Sequence, residues 1–291
     1  MRATEASHSV TAALPCGPSI AANRGTRDSR VLTRLLVGAI LALAIAVTGA
    51  RSGSLSTSGV MAAVLVGAGA SAAGWEWAAL LIAFFVVTSA LPHLIPPRST
   101  AALAAAESIV EKAGARDAAQ VLANGGVFAL LSLLATGRPS HLAVAAAGAL
   151  AAAAADSWST EIGTRWGSAP RSILTWMPMA VGTSGAVTTE GFAGTVAGAV
   201  FIAALAAAIA GASFWCVMAG GIAGAIADSL VGATVQTRRW CGRCGTSTER
   251  RIHTCGATTR VNGGISWLDN DVVNVLCTIV GAAVAFMCAG L

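Results

Sequence analysis

The stretch Trp267–Leu291, WLDNDVVNVLCTIVGAAVAFMCAGL, sets the terms on which the rest of the chain is read. From Val272 onward it is almost wholly apolar, and a helix of about 20 residues spans the hydrocarbon core of a bilayer. Yet it opens with Asp269, Asn270, Asp271 and Asn274. Carboxylates near a bilayer are expensive, so those that persist there mark functional sites. An acid at a helix start also interacts with the helix dipole, by about 0.3–1 kcal/mol, which accounts for one Asp. Two Asp pointing to different sides, with Asn270 and Asn274 on one face, suit the oxygen ligation of a hard cation. Mg²⁺ takes a few carboxylates and fills its shell with water and substrate phosphates.

The rest of the sequence repeats this theme. Of 291 residues, 55% are hydrophobic and only 11% are charged, far below the soluble average of about a quarter. Apolar segments run over 31–50, 57–74, 75–95, 117–136, 141–160, 190–212, 213–236 and 272–290. They predict an all-α, polytopic transmembrane bundle of about seven to eight helices over 31–291, packed closely through its abundant Ala and Gly. Residues 1–30, rich in Ala, Ser, Thr and Arg, read as a disordered tail in preference to a transit peptide. With no Tyr in the chain, Trp must supply the aromatic belt. The net charge of +5 comes almost entirely from Arg, and no basic stretch carries interleaved aromatics, which argues against nucleic acid.

Three longer polar connections, 96–116, 161–189 and 237–271, carry most of the Arg and are assigned to the cytoplasmic side, or to the stroma if the leader is a transit peptide. Arg24, Arg27, Arg30 and Arg34 at the N-terminus ask for the same side, but three apolar segments precede residue 96, so the side of the N-terminus stays open.

The acids gather at the ends facing these connections. In ARDAAQVLANGG, Arg116, Gln120 and Asn124 fall at i, i+4, i+8 with Asp117 beside them, a polar stripe suited either to interhelical hydrogen bonds or to a ligand. In ADSWSTEIG, Asp156 and Glu161 do not share one face, so a common ion would need a break after Thr160. In GGIAGAIADSLVGATVQ, small residues, Asp228 and Gln236 line one face, open to a ligand or to helix packing. The loop VGTSGAVTTEG carries Gly182, Thr183, Ser184 and Gly185, whose backbone N–H groups suit phosphate oxygens, as an ordinary turn also would. Asp156 and Asp228 sit in similar Ala-Asp-Ser contexts, an echo that chance explains as well as duplication. Cys241 and Cys244, in C-x₂-C spacing with His253 and Cys255 beyond, are either a small structural Zn²⁺ site or unmetallated thiols. Cys216, Cys277 and Cys288 read as small core residues.

Five motifs in this order, GARDAAQVLANGG, ADSWSTEIG, GTSGAVTTEG, AGAIADSLVGATVQ and GISWLDNDVVN, closely resemble the DUF92 membrane proteins. That family includes the transmembrane protein 19 group and the plant phytyl-phosphate kinase. The resemblance covers residues 34–290, although the 96–116 loop is less basic than the family's Lys-rich counterpart. It implies transfer of a phosphoryl group from a nucleoside triphosphate to an isoprenoid monophosphate. On that reading Asp156, Asp228, Asp269 and Asp271 hold Mg²⁺, Arg116 and Arg171 cover phosphates, and the Gly182–Gly185 loop donates N–H groups. Asp117, Gln120, Asn124, Glu161, Gln236, Asn270 and Asn274 complete the substrate site, and grooves between helices take the prenyl tail. The alternatives are another nucleotidyltransferase acting on a lipid phosphate and an ion-coupled transporter. A transporter predicts acids at mid-membrane and inverted repeats, neither of which the sequence offers. Oligomeric state is left open.

Overall fold

The computed structural model describes residues 20–112, 114–136 and 140–291. Residues 1–19 of the expected tail lie outside them, and residues 20–30, expected to be disordered, are instead the first part of helix α1, Ile20–Arg51. Eight more helices follow: α2 (Thr57–Ala73), α3 (Trp75–Leu94), α4 (Thr100–Ile109), α5 (Ala118–Ala135), α6 (Ser140–Trp166), α7 (Thr189–Ala210), α8 (Phe214–Thr234) and α9 (Asn270–Ala289). Among the described residues, seven of the nine helices are long and apolar enough to cross a membrane. The eighth apolar segment, α2, has 17 residues, about 26 Å at 1.5 Å per residue, close to the hydrocarbon thickness. Little sheet is present. The pair β1 (Arg171–Ser172) and β2 (Ala186–Val187) forms one ribbon, and β3 (Arg238–Cys241), β4 (Thr246–Thr248) and β5 (Arg260–Gly263) form a small antiparallel sheet in the order β4-β3-β5.

Helix α6 is the axis of the bundle. Its run Ala145–Ala155 is buried on every side, with α5, α7, α8 and α9 packed around it. An all-round apolar helix is what a central position requires. The Ala and Gly content lets the axes approach: a Cβ on Gly224 would stand 2.4 Å from the Ala152 Cβ, and one on Gly281 2.5 Å from the same atom. A bilayer supplies no hydrophobic drive between helices, so such close van der Waals packing carries their association.

The alternating directions bring many ends to one face. The C-terminal ends of α1, α3, α6 and α8 and the N-terminal ends of α5 and α9 all line one cavity. The start of α2 joins them, because the backbone of Ser54–Ser56 pairs with Arg116. The start of α7 lies beside the end of α6, where Ser168 donates to Glu190. The N-terminal end of α1 therefore lies at the opposite face, with three helices between it and residue 96. Exposed Trp75 and Trp215 lie at the far end, and exposed Trp176 and Trp267 lie in connections at the site end.

Three local readings change. The 96–116 connection contains helix α4, capped by Ser99, whose Oγ accepts from the Ala102 N–H at 3.2 Å. No break follows Thr160: α6 continues to Trp166, and Gly163 serves a close approach to α7, where a Cβ would meet the Gly191 Cα at 3.4 Å. Cys216 and Cys288 are joined by a disulfide between the far ends of α8 and α9, while Cys277 is the buried core residue expected.

Candidate active site

Two cavities meet at the site end of the bundle. One, of about 520 Å³, is polar. Its floor is formed by α6, α8 and α9, and its roof by α4 and the 237–269 connection. The other, of about 320 Å³, is an apolar groove between α1, α2, α3 and α5. Arg116, Gln120, Asn124 and Ser157 line both.

Eight carboxylates and five Lys or Arg side chains line the polar cavity. Asp156 on α6 and Asp228 on α8 bring their carboxyl groups within hydrogen-bonding reach of each other. The two helices run in the same direction, so the similar Ala-Asp-Ser segments arrive at the same depth. Asp228 Oδ1 and Asp271 Oδ1 are buried without a hydrogen-bond partner. A buried, unpaired carboxylate oxygen is costly. Its position in a wall of acids fits a cation ligand, so Asp156, Asp228 and Asp271 have the chemistry to hold Mg²⁺. Asn270 and Asn274 line the same wall, as do Glu161 and Gln236.

The remaining acids of the motifs have structural work. Asp269 is the N-cap of α9, accepting from the Val272 N–H at 3.3 Å, and Arg251 Nη2 lies 3.9 Å from it. Asp117 caps α5 in a capping box: its carboxylate accepts from the Gln120 N–H at 3.0 Å, and Gln120 Oε1 accepts from the Asp117 N–H at 3.1 Å. Lys112, the sole lysine, bridges Asp117 at 2.8 Å and Asp271. Burial alone would lower its pKa, but hydrogen bonds to Asp117 and then Asp271 outweigh that and raise it. Burial likewise works to raise the pKa of Asp117, and the hydrogen bond from Lys112 leads the contacts that bring it below the usual range.

At the junction, Arg116 donates from Nη1 to Ser89 Oγ at 3.1 Å on α3. No ion pair to it is found among the described residues, and burial pulls its pKa down against the opposing charge of Glu161. A desolvated guanidinium without a carboxylate partner is a ready anion site. The polar stripe of α5 thus faces the place where a tail in the groove would end in a head in the cavity.

Two expected phosphate contacts lie elsewhere. Arg171 pairs across the β1–β2 ribbon and donates to the Trp176 carbonyl at 2.9 Å, and it lines neither cavity. The glycines of the 182–185 loop serve close packing. Gly182, with φ +81°, leaves no room for a Cβ against Ala106 of α4, and Gly185, with φ +78°, none against Ala233 of α8. The Thr183 N–H is spent on the Ala180 carbonyl. The loop reaches the cavity indirectly, through Ser184, which donates to Glu249.

Glu249 is the lining residue that the sequence hid. Burial pushes its pKa up to about 7, opposed by the Ser184 hydroxyl and assisted by repulsion from Glu111. Within an Arg-rich loop it reads as a solvated acid. Only the approach of its strand to α4 and the 182–185 loop encloses it.

The geometry has relatives. The family model described as "Integral membrane protein DUF92" matches residues 40–282. The chain is 28% identical over 270 residues to "Protein PGR" of Arabidopsis thaliana, covering 83% of this chain and 91% of that protein. No solved structure matches.

Proposed function

Because the chain belongs to the DUF92 family of multi-pass integral membrane proteins, we propose that its two joined cavities form one active site, which transfers a phosphoryl group from a nucleoside triphosphate to an isoprenoid monophosphate. The observation that carries this reading is the shared lining of the cavities: an apolar groove ends at Arg116, where a polar chamber with unpartnered Asp oxygens begins. The groove follows α3 from Trp75 to Thr88, about 20 Å by helix rise. Its rim residues Leu41, Trp75 and Ile82 are exposed, which gives a lipid tail a lateral way in from the bilayer.

The chemistry asks little covalent help from the protein. A phosphate monoester has its second pKa near 6 and is mostly dianionic at pH 7. One of its oxygens bonds to the γ-phosphorus of the donor, the bond from that phosphorus to the β–γ bridging oxygen breaks, and the nucleoside diphosphate leaves. No proton must be removed from the acceptor, so His93, which lines the chamber, is not needed as a base. Positioning and charge stabilisation remain. Arg116 holds the acceptor head at the groove mouth, with Gln120, Asn124 and Ser157 around it. Arg165, Arg239 and Arg251 line the chamber and face the donor phosphates. With more carboxylates than cations, the chamber would repel a triphosphate, so the donor enters with Mg²⁺. Mg²⁺ held by Asp156, Asp228 and Asp271 would screen the phosphates and the charge on the leaving oxygen.

The orientation proposed from charge gains a second support. The described Arg of the polar connections sits at the site end, against Arg30 and Arg34 in the far half of α1, and the Cys216–Cys288 disulfide sits at the far end. Disulfides persist in oxidising compartments, which supports a cytoplasmic site.

The test is transfer by detergent-purified protein given prenyl monophosphates, Mg²⁺ and each nucleoside triphosphate labelled in the γ or the α position. γ-Label in a prenyl diphosphate, lost in EDTA, supports the kinase. α-Label in the lipid product would indicate a nucleotidyltransferase instead, and no transfer from folded protein would overturn both.

A further inference from the structure

The 237–269 connection holds a second cluster that takes no part in the chemistry above. Cys241 ends β3, Cys244 lies in the β3–β4 turn, and His253 and Cys255 lie between β4 and β5. Their ligand atoms all lie within 4.8 Å of one another. Cys241 Sγ is 3.7 Å from Cys255 Sγ, and His253 Nδ1 is 3.3 Å from the same sulfur. Tetrahedral zinc, with Zn–S near 2.3 Å and Zn–N near 2.0–2.1 Å, requires S···S of about 3.8 Å and N···S of about 3.5 Å. A disulfide would need the sulfurs at about 2.0 Å.

A second observation asks for the same thing. The β3–β5 sheet has almost no apolar core: Ile252 is 64% exposed and Val261 44% exposed, while Cys241 is fully buried. Three strands of three or four residues do not hold themselves together, and small modules of this kind rely on metals or disulfides. Yet this module must be ordered, because it roofs the polar cavity. Thr248 Oγ1 donates to the Ile109 carbonyl at 3.0 Å, the Glu249 N–H to the same carbonyl at 2.8 Å, and Arg250 Nη2 to the Glu107 carbonyl at 3.0 Å. Arg251 Nε lies 3.3 Å from Glu111.

We infer that Cys241, Cys244, His253 and Cys255 bind one structural Zn²⁺, which clips the two turns of the β3–β5 module together and thereby fixes β4 against α4 as the roof of the cavity. Four protein ligands leave no open position, so this zinc stays out of the reaction. The clip lies at the same end as the carboxylates and opposite the Cys216–Cys288 disulfide, which fits thiols kept reduced.

The experiment is metal analysis of the full-length, reduced protein purified without added chelator. About one zinc per chain is expected, released stoichiometrically when a mercurial blocks the thiols. Cys244→Ser, at an exposed position, should lower the zinc content at least fivefold, and Cys277→Ser should leave it unchanged. Protein produced with Co²⁺ should show thiolate-to-cobalt charge transfer and intense tetrahedral d–d bands. Absence of zinc from reduced protein, equal zinc in Cys244→Ser, or a Cys241–Cys255 disulfide found by mass spectrometry would each overturn the inference. The mercurial titration uses the unaltered chain, so a variant that fails to fold does not spare the proposal. None of these readouts depends on prenyl-phosphate transfer.

Discussion

The groove and the chamber share four residues and one wall of helix α5, yet they solve opposite problems. The groove is built from α1, α2, α3 and α5 with apolar side chains that touch one another only partly, which leaves space open to lipid. The chamber draws Asp156, Glu161, Asp228 and Asp271 from α6, α8 and α9, whose Ala and Gly faces pack so closely that their polar ends have little freedom. Loose packing gives a lipid tail room, and tight packing holds carboxylates where their mutual repulsion would otherwise part them. The difference teaches that the abundance of small residues does two jobs in one chain, compaction around α6 and vacancy beside α3.

The comparison can be broken most severely at the chamber. Asp228→Asn and Asp271→Asn are each expected to lower transfer by about 100-fold or more, the scale of losing a metal ligand or a principal electrostatic contact, with helix content by circular dichroism unchanged. Asp269→Asn should cost much less, because asparagine also caps a helix. Next comes the junction. Arg116→Met should weaken the acceptor phosphate by about 1.5–3 kcal/mol, the worth of a charged hydrogen bond, seen as a raised KM for the acceptor with little change for the nucleotide.

Filling the groove should sharpen the contrast. Ala63→Trp, in the wall of α2, is predicted to reduce kcat/KM for long prenyl phosphates about 10-fold while sparing short ones. A loss that is the same for every chain length would remove the groove from the account.

A smaller effect concerns Glu249. Its folded pKa of about 7 lies above the ordinary 4.5, so the folded state binds the extra proton between these values. Stability is therefore full below about pH 4.5, falls as pH rises towards 7 and levels off above it. Glu249→Gln should flatten that fall, by on the order of 1–2 kcal/mol, in thermal unfolding measured from pH 5 to 8. Smallest of all, Cys216→Ser with Cys288→Ser should leave the transfer rate within about twofold, as expected for a distant, independent position, while lowering the melting temperature.

How much of this was legible in the sequence follows from what each residue's role depends on. Apart from α1, which begins 11 residues before its apolar segment, and α6, which runs six residues past its own, the apolar segments mark their helices to within a few residues, because bilayer length and backbone satisfaction leave few choices. Helix α4 escaped because its ten residues, TAALAAAESI, fall between prolines and charges in a connection, although they have high helix propensity. The acids of α6, α8 and α9 stood out because their helices continue apolar beyond them. Which acids are free could not be read so directly. The Asp117–Gln120 spacing is a capping signature that also fits a polar stripe, and hydrogen bonds had to decide. Arg171 is a phosphate ligand only on the reading that the family resemblance implies, and its place depends on a two-residue ribbon with no sequence signal. Glu249 acquires its burial from Ser184 and Ile109, 65 and 140 positions away in the chain, a tertiary effect outside the reach of local pattern.

The most direct measurement is the kcat/KM for transfer from a γ-labelled nucleoside triphosphate to geranylgeranyl phosphate set against methyl phosphate, on the same purified protein with Mg²⁺. If groove and chamber are one site, the prenyl acceptor is preferred by at least about 100-fold, as burial of several CH₂ groups at about 0.8 kcal/mol each allows, and Ala63→Trp erodes that preference. Equal rates for the two acceptors, or no labelled diphosphate from either, would contradict the account.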